Sequence, residues 1–416
     1  MTFSTLSEWL ALIQSLPITE VTLGLDRVKT VAERLGVLKP RCKVIIVGGT
    51  NGKGSTVATL EAIYQAAAYQ VGTFTTPFLL KYNEQVKLNG QMVADAAFCE
   101  AFAKIEKARG DILLTPFEFS TLAALIIFQK TPLDILILEV GLGGRLDAVN
   151  IIDADVSIIT SIGIDHTYWL GTTREAIAIE KAGILRQNKP AVCGDEEPPL
   201  TLVAAAQEKG AIFFCQGKDF NYEEETETWS WFSTYPASPI RYGDLPKNAL
   251  LLQNLSTALM AMHLLSDVLP VSESALRKGL SSVTLAGRLQ VLPGKVTEIH
   301  DVAHNPAAVT LLKSALKKRH DVGKRLAVFS MLADKDILAC INIMADVIDE
   351  WFIAPLQTKR AANQESLKTH FKKAHVTQAH FYTSIPQAYA AAYAQAQAGD
   401  CIIVFGSFHT LAEALV

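Results

Sequence analysis

The sequence predicts an α/β fold built from two doubly wound domains, the second smaller than the first. Three observations predict it. Unbroken apolar runs rich in β-branched residues alternate with helical patterns almost throughout. A glycine-rich stretch, VGGTNGKGST at 47–56, joins one such run to a helical pattern. The alternation breaks at 219–232 and restarts near residue 296.

The elements follow in order. KVIIVG (43–48), DILILEV (134–140) and DVSIIT (155–160) read as strands buried on both faces of a parallel sheet. Helical patterns lie between them, one starting at Ser55 and one around Glu118–Gln129. DFNYEEETETWSWF (219–232) alternates acidic and aromatic residues and reads as a hairpin decorating the first domain. In the second domain VTEIHDVA, RLAVFSM, EWFIAP and CIIVFG are strand candidates, with helical patterns near 306–319, 335–349, 364–374, 386–398 and 408–415. The expected organisation is an N-terminal domain over 1–286, a linker over 287–295 that contains Gly287, Pro293 and Gly294, and a C-terminal domain over 296–416.

Composition bounds the class. Of 416 residues, 50% are hydrophobic and 19% charged, so a large core is expected. The net charge is −4 and no long basic stretch occurs, which argues against a nucleic-acid partner. No Lys or Arg precedes Arg27, so a secretory signal is not expected. LAALIIF and DILILEVGLGG are too short or too glycine-broken to span a bilayer. The six cysteines form no C-x-x-C pair and read as reduced core residues, which predicts a cytoplasmic protein. Nothing in the sequence requires more than a monomer.

The glycine-rich stretch is a phosphate cradle by its chemistry. Glycines let backbone N–H groups turn inward, the following helix N-terminus adds positive potential, and Lys53 can reach the outer phosphates. Thr50, Asn51, Gly52, Lys53, Gly54, Ser55 and Thr56 are therefore candidate nucleotide contacts, and the N-terminal domain reads as a P-loop ATPase domain. The loop is a variant of G-x-x-x-x-G-K-[ST], because Gly54 separates Lys53 from Ser55. The hydroxyl for Mg²⁺ is Ser55 or Thr56.

Other polar residues fall at the ends of strand candidates, where open parallel sheets bind ligands. Glu139 ends DILILE; beside a P-loop a buried carboxylate suits Mg²⁺, or else pairs with Arg145. Asp165 and His166 follow DVSIIT; His166 read alone is more often structural than metal-binding, since imidazole is not the favoured ligand of a hard cation. Lys181, in REAIAIEKAGILR, reads by pattern as a surface charge on a helix. HDVAHNP (300–306), MLADKD (331–336) and GSFHT (406–410) follow strands of the second domain. Asp301, His304 and Asn305 form either a site or a turn with Asx capping. Together these positions suggest two carboxyl edges facing one cleft.

These stretches resemble the Mur ligase superfamily of ATP-dependent amide-forming enzymes, and within it the folylpolyglutamate synthase family in its bifunctional bacterial form. The resemblance covers nearly the whole chain. It rests on LGLDRV (23–28), GGTNGKGST (48–56), TPFLLKYNEQV (76–86), TPFEFSTLAA (115–124), LEVGLGGRLDAVN (138–150), GIDHTYWLG (163–171), EKAGI (180–184), AGRLQ (286–290), DVAHNP (301–306), MLADKD (331–336) and VFGSFHTLAEAL (404–415). It implies a Rossmann-like C-terminal glutamate-ligase domain and an activity that adds L-glutamate to dihydropteroate and to reduced folates through an acyl phosphate.

The resemblance also implies roles. Lys53, Glu139, His166 and Lys181 are then catalytic. Lys181 is carbamylated by CO₂ and, with His166 and Glu139, serves a second Mg²⁺, while Ser55 serves the first. Asn254, Arg288, Asp301 and His304 contact ATP. Leu25, Arg27, Pro77, Thr115, Phe117, Asp147 and Ala148 belong to the pterin pocket, where Phe117 stacks on the ring and Asp147 accepts its N–H groups. Ser407 and His409 are candidates for the incoming glutamate. Two positions depart from the family pattern: Phe78 stands where His is usual, and Ser330 where Gly is frequent.

Two other readings stay open. A Mur-type peptidoglycan ligase with a UDP-sugar substrate would share the P-loop, Glu139, Lys181 and HNP. Only about 42 residues precede the P-loop strand, too few for the separate UDP-binding domain such enzymes carry. A non-catalytic nucleotide switch would bind ATP without turnover, against which Lys53, Glu139, His166 and Lys181 argue. A monofunctional polyglutamate synthase is the variant nearest to the main reading.

Overall fold

A strand that is apolar on both faces needs cover on both faces, and helices between the strands supply it. In the computed structural model, residues 3–18, 22–235, 239–319 and 323–416 are described. The chain divides into two compact units, Met1–Thr284 and Leu285–Val416.

The first unit is built on eight strands: β1 Lys43–Gly48, β2 Val71–Phe74, β3 Val86–Leu88, β4 Gln91–Met92, β5 Ile135–Glu139, β6 Val156–Ile159, β7 Pro190–Cys193 and β8 Ile212–Cys215. Their order is β4-β3-β2-β5-β1-β6-β7-β8. The pairs from β2 across to β8 are parallel, and β3 and β4 extend one edge as an antiparallel hairpin. The central strand β1 is buried from Val44 to Gly48, as its unbroken apolar run requires. The chain leaves β1 for β2 on one side and later reaches β6 on the other. The loop after β1 therefore opens at the point where the winding reverses, which is where such sheets bind ligands.

Helix Lys53–Ala66 follows that loop and packs against helices Leu252–Leu264 and Glu273–Ser282. Gly279 allows the close approach: a Cβ there would lie 2.6 Å from the Ile63 Cα. Helix Pro116–Gln129 packs on Asp95–Arg109 and is buried over nearly its whole length. The acidic-aromatic stretch forms β9 Phe220–Glu224 and β10 Thr228–Ser233, joined by β11 Ile240–Pro246 into a three-stranded antiparallel sheet. The hairpin expected there is present and gains a third strand. Trp229 and Trp231 are fully buried in it.

The second unit carries β12 Gln290–Leu292, β13 Thr297–His300, β14 Arg325–Phe329, β15 Glu350–Ile353, β16 Ala379–Phe381 and β17 Cys401–Phe405. The order is β12-β13-β17-β14-β15-β16, parallel except for β12. Segment 287–295, expected as a linker, contains β12, which pairs with β13 from Gln290↔His300 to Leu292↔Glu298. Its core centres on Phe329, with ring centroids 5.5 Å from Trp351 and 5.0 Å from Phe405. No helix among the described residues is long and apolar enough to cross a membrane.

Candidate active site

The site is organised by the loop after β1. Gly49 has φ +138° and Gly52 φ +91°, a region open to glycine and strained for other residues. The space is as restrictive as the angle. A Cβ on Gly49 would lie 1.9 Å from the Thr160 Oγ1, and one on Gly52 would lie 2.2 Å from the Asn254 Oδ1. The loop is held to the chain leaving β6. The Thr50 N–H donates to the Ser161 carbonyl at 2.7 Å, and the Thr160 hydroxyl donates to the Asn51 carbonyl at 2.6 Å. The Thr50 hydroxyl and the Gly163 backbone bond each other both ways. Helix Lys53–Ala66 starts directly after Gly52, so Lys53, Gly54, Ser55 and Thr56 form its first turn. That turn carries the positive end of the helix dipole, with the Thr56 N–H donating back to the Gly52 carbonyl at 2.9 Å.

Two lysines converge on one carbonyl of this loop. The Lys53 Nζ donates to the Gly49 and Thr50 carbonyls, each at 3.1 Å. The Lys181 Nζ donates to the Gly49 carbonyl at 2.7 Å. Lys181 is buried, which corrects the surface-charge reading of its pattern. It is the last residue of helix Arg174–Lys181, and the helix end turns inward beneath the loop. Burial, and after it repulsion from Lys53, push its amine down to about 7.

Glu139 ends β5 and is buried. Its Oε2 accepts the Thr76 N–H at 3.1 Å, next to the cis Thr76–Pro77 bond. The alternative partner Arg145 is used elsewhere, in a bidentate pair with Glu180 that closes to 2.8 Å. The buried carboxylate at the end of β5 and the Ser55 hydroxyl in the first turn of the helix after β1 are oxygen donors of the kind a hard divalent cation takes. Among the described residues no cluster of three His, Cys, Asp or Glu side chains is poised for a metal. His166 adopts the left-handed region at φ 52° and has its Nε2 4.0 Å from Asp165. Its loop is fixed behind by Arg174, which donates to the Ile162 carbonyl at 2.9 Å and to Asp195 at 2.9 Å.

The residues assigned to the pterin pocket form a second cluster in the same unit. Phe117 lies against Gly141, two residues past Glu139; a Cβ on that glycine would come 2.7 Å from the ring. Thr115 caps helix Pro116–Gln129 in a capping box with Glu118. Glu118 also pairs with Arg27 at 3.1 Å, and Leu25 is the cap residue before helix Asp26–Leu35. Asp147 is buried and accepts the Leu142 N–H at 2.8 Å and the Val149 N–H at 3.0 Å. Burial raises its carboxyl to about 6. Ala148 is buried beside it. Phe78 is half-exposed and packs edge-on against Tyr82, with centroids 5.6 Å apart.

The second unit gathers Arg288, Asp301 and His304. Asp301 is partly buried and accepts the Leu289 N–H at 2.8 Å and the Ala303 N–H at 2.7 Å. Burial raises its carboxyl, and Arg288 is the first influence opposing that. The Arg288 guanidinium lies over the Phe408 ring at 5.4 Å. The His304 Nδ1 is 2.9 Å from the Val302 carbonyl. Asn305 caps helix Pro306–Lys317, which realises the Asx-capping reading for that residue. The Ser407 hydroxyl caps helix Phe408–Ala414 and meets the Thr410 hydroxyl at 2.8 Å; His409 is exposed. Ser330 is buried against this turn, its carbonyl accepting from Thr410.

Sequence reasoning missed Thr160 and Ser161, which hold the loop, and the Thr76 amide, which bonds Glu139. Hydroxyls directly after an apolar run were a visible signal for the first two. A backbone amide leaves no signal.

Comparison with known proteins follows this geometry. The Mur ligase middle domain matches residues 47–229, and the Mur ligase glutamate ligase domain matches 287–408. Dihydrofolate synthase/folylpolyglutamate synthase of Escherichia coli is 45% identical over 412 residues, 99% of this chain and 95% of that protein. Its Haemophilus influenzae counterpart is 40% identical over 432 residues, 99% and 97%. Among solved structures, E. coli FolC in complex with DHPP and ADP superposes with a TM-score of 0.95 at 44% identity, covering 100% of this chain and 98% of that one. The Yersinia pestis bifunctional enzyme complexed with AMPPNP and Mn gives 0.93 at 42%, again covering 100% and 98%. Two Mur ligase domains in the expected order, and relatives this similar over the whole chain, identify the lineage: the chain belongs to the dihydrofolate synthase/folylpolyglutamate synthase family of Mur ligases.

Proposed function

We infer that the protein is an ATP-dependent ligase that adds L-glutamate to dihydropteroate, forming dihydrofolate, and to reduced folates, forming polyglutamates. The observation that carries the reading is the convergence of Lys53 and Lys181 on the Gly49 carbonyl at the winding reversal. Relatives named for this activity span the whole chain, which favours folates over UDP-sugars and turnover over a passive switch.

The chemistry follows from where charge appears. The γ-phosphoryl group passes from ATP to the substrate carboxylate, ADP leaves, and an acyl phosphate remains. The helix N-terminus and the loop amides hold the phosphates, and Lys53 offsets the negative charge of the transferring group. The glutamate amine then attacks the acyl carbon. The tetrahedral intermediate collapses, phosphate leaves, the nitrogen loses its proton, and an amide results.

We propose Ser55 and Glu139 as holders of one Mg²⁺, and His166 and Lys181, with Glu139 between, as holders of a second. The ions would supply charge neutralisation. A lysine amine is a poor ligand for a hard cation; a buried amine converted by CO₂ to a carbamate offers oxygens instead. The buried position of Lys181 supports that modification. Phe117 and Asp147 orient the pterin, with Leu25, Arg27, Pro77, Thr115 and Ala148 around them. Asn254 contacts the nucleotide. Within the second unit, Arg288, Asp301 and His304 form its nucleotide-contacting cluster, and Ser407 its glutamate-side candidate.

The test is ADP release by purified protein with ATP, Mg²⁺ and L-glutamate, with dihydropteroate or tetrahydrofolate added. Turnover with both is expected. Turnover with tetrahydrofolate alone would reduce the assignment to a polyglutamate synthase and direct attention to Phe78. Turnover with neither would sink the reading.

A further inference from the structure

Arg186 stands beyond the EKAGI stretch, and none of the roles above uses it. Its guanidinium is nevertheless engaged on every side. Nη2 donates to the Asn150 carbonyl at 3.0 Å, to the Asn150 Oδ1 at 2.9 Å and to the Ile152 carbonyl at 3.0 Å. Nη1 donates to the Gly183, Ile184 and Leu185 carbonyls at 3.4, 3.1 and 3.4 Å. Nε meets Asp153, whose side chain is 88% exposed. Asn150 completes the connection: its Nδ2 donates to the Arg145 carbonyl at 3.0 Å and to the Gly183 carbonyl at 3.3 Å.

These bonds join two segments more than thirty residues apart in sequence. One runs from Gly141 through Asp147 and Ala148 to Ile152. The other is the turn Ala182–Ile184, directly after Lys181. The turn's carbonyls lie just past a helix end, where intrahelical donors run out. A fixed planar cation with five donors satisfies several at once, which a lysine ammonium cannot do in the same geometry. The segments also interlock sterically. A Cβ on Gly183 would lie 2.1 Å from the Arg145 Cα, and one on Gly144 would lie 2.9 Å from the Lys181 carbonyl oxygen. The Arg145 N–H donates to the Glu180 carbonyl at 2.7 Å.

We infer that Arg186 and Asn150 form a positioning clamp for the ligase reaction, fixing the Lys181 end of its helix against the Asp147–Ala148 wall of the pterin pocket. This rests on the roles proposed above for Lys181 and Asp147. Neither clamp residue touches reacting atoms. The clamp sets where the pterin-bearing substrate lies relative to the Lys181 amine. The nucleotide loop has its own anchors in residues 160–163, besides the single Lys181 bond to the Gly49 carbonyl.

The experiment compares Arg186→Ala, Arg186→Lys, Asn150→Ala and Asp153→Ala with wild type. It measures kcat, separate KM values for dihydropteroate and ATP, and Tm. Arg186→Ala is expected to lower kcat about tenfold and raise the dihydropteroate KM about tenfold, since a small misplacement costs that much. Its ATP KM should stay within about twofold. Arg186→Lys should fall between, Asp153→Ala should match wild type, and Arg186→Ala combined with Asn150→Ala should cost little more than either alone. Equal rises in both KM values in step with Tm, or unchanged kinetics despite a lower Tm, would overturn the clamp. If Arg186→Ala does not fold, Arg186→Lys and Asn150→Ala decide by the same KM comparison. Wild-type protein without turnover would overturn the functional reading and the clamp together. Wild-type turnover with insensitive variants would overturn the clamp alone.

Discussion

Asp147 in the first unit and Asp301 in the second are built alike and surrounded differently. Asp147 is buried and Asp301 partly so, and each accepts two backbone N–H groups within 3.0 Å. Burial raises both carboxyls. Around Asp301 the foremost opposing influence is Arg288, a cation that keeps its charge at any physiological pH. Around Asp147 backbone amides come first, and the cation that acts on it is Lys53, which bonds to loop carbonyls. The amine of Lys181, buried in the same unit, sits at about 7. The first unit thus sets a buried amine beside its raised carboxyl, whereas the second sets a fixed charge beside its own. The proposed reaction of the Lys181 amine with CO₂ would fall in the first unit.

The sharpest way to break that assignment is Lys181→Ala. It is expected to lower kcat about 10² to 10³-fold while nucleotide affinity changes little. Steady-state kinetics with a separate ADP-binding titration checks it, and near-normal kcat would remove Lys181 from the chemistry.

Glycines compare the two units sterically. A Cβ on Gly406, at φ +114°, would lie 2.2 Å from the Ser330 carbonyl oxygen, a backbone atom that cannot step aside. Gly406→Ala is expected to destabilise the second unit by about 3 kcal/mol or more. A Cβ on Gly52 meets the Asn254 amide, a side chain that can move. Gly52→Ala is therefore expected to cost about 1–2 kcal/mol of stability but to impair nucleotide binding more. Calorimetry of both variants, with an ADP titration, tests the contrast.

The carboxyls compare them by pH. The folded-state value of Asp147, about 6, lies above its ordinary 3.8, so the folded chain holds this proton more tightly. Its contribution to stability is full below about pH 4 and is lost as pH rises to about 6, a change on the order of 3 kcal/mol. The stability difference between wild type and Asp147→Ala should follow that window in denaturant titrations. Asp301→Ala should show the same sign. The opposite sign at Asp301 would mean that Arg288 outweighs burial there.

The smallest expected effect is at Ser407. Loss of its cap should cost about 1 kcal/mol. If its hydroxyl only caps helix Phe408–Ala414, Ser407→Ala leaves the glutamate KM unchanged; a severalfold rise would give it a substrate role.

Legibility followed the same division. The P-loop, the buried β1, β5 and β6, and the four main strands of the second unit were readable because each joins a long apolar run to turn or helix signals. The short strands β12 and β16 were not, because three residues carry no period, and only pairing to β13 and β15 makes them strands. Glu139 was readable as a costly buried carboxylate. Lys181 was misread by its pattern, because whether a helix-end lysine meets solvent or a glycine carbonyl depends on what packs above it.

By itself the sequence determined the phosphate cradle, the α/β alternation and the residue types available at each strand end, since glycine freedom, hydrophobic period and side-chain chemistry are local properties. The tertiary structure alone decided that Lys53 and Lys181 share the Gly49 carbonyl, that Arg145 pairs with Glu180 rather than Glu139, and that Arg186 binds together segments thirty residues apart. Those are distances between residues remote in the chain, and they exist only once the core has brought the segments together.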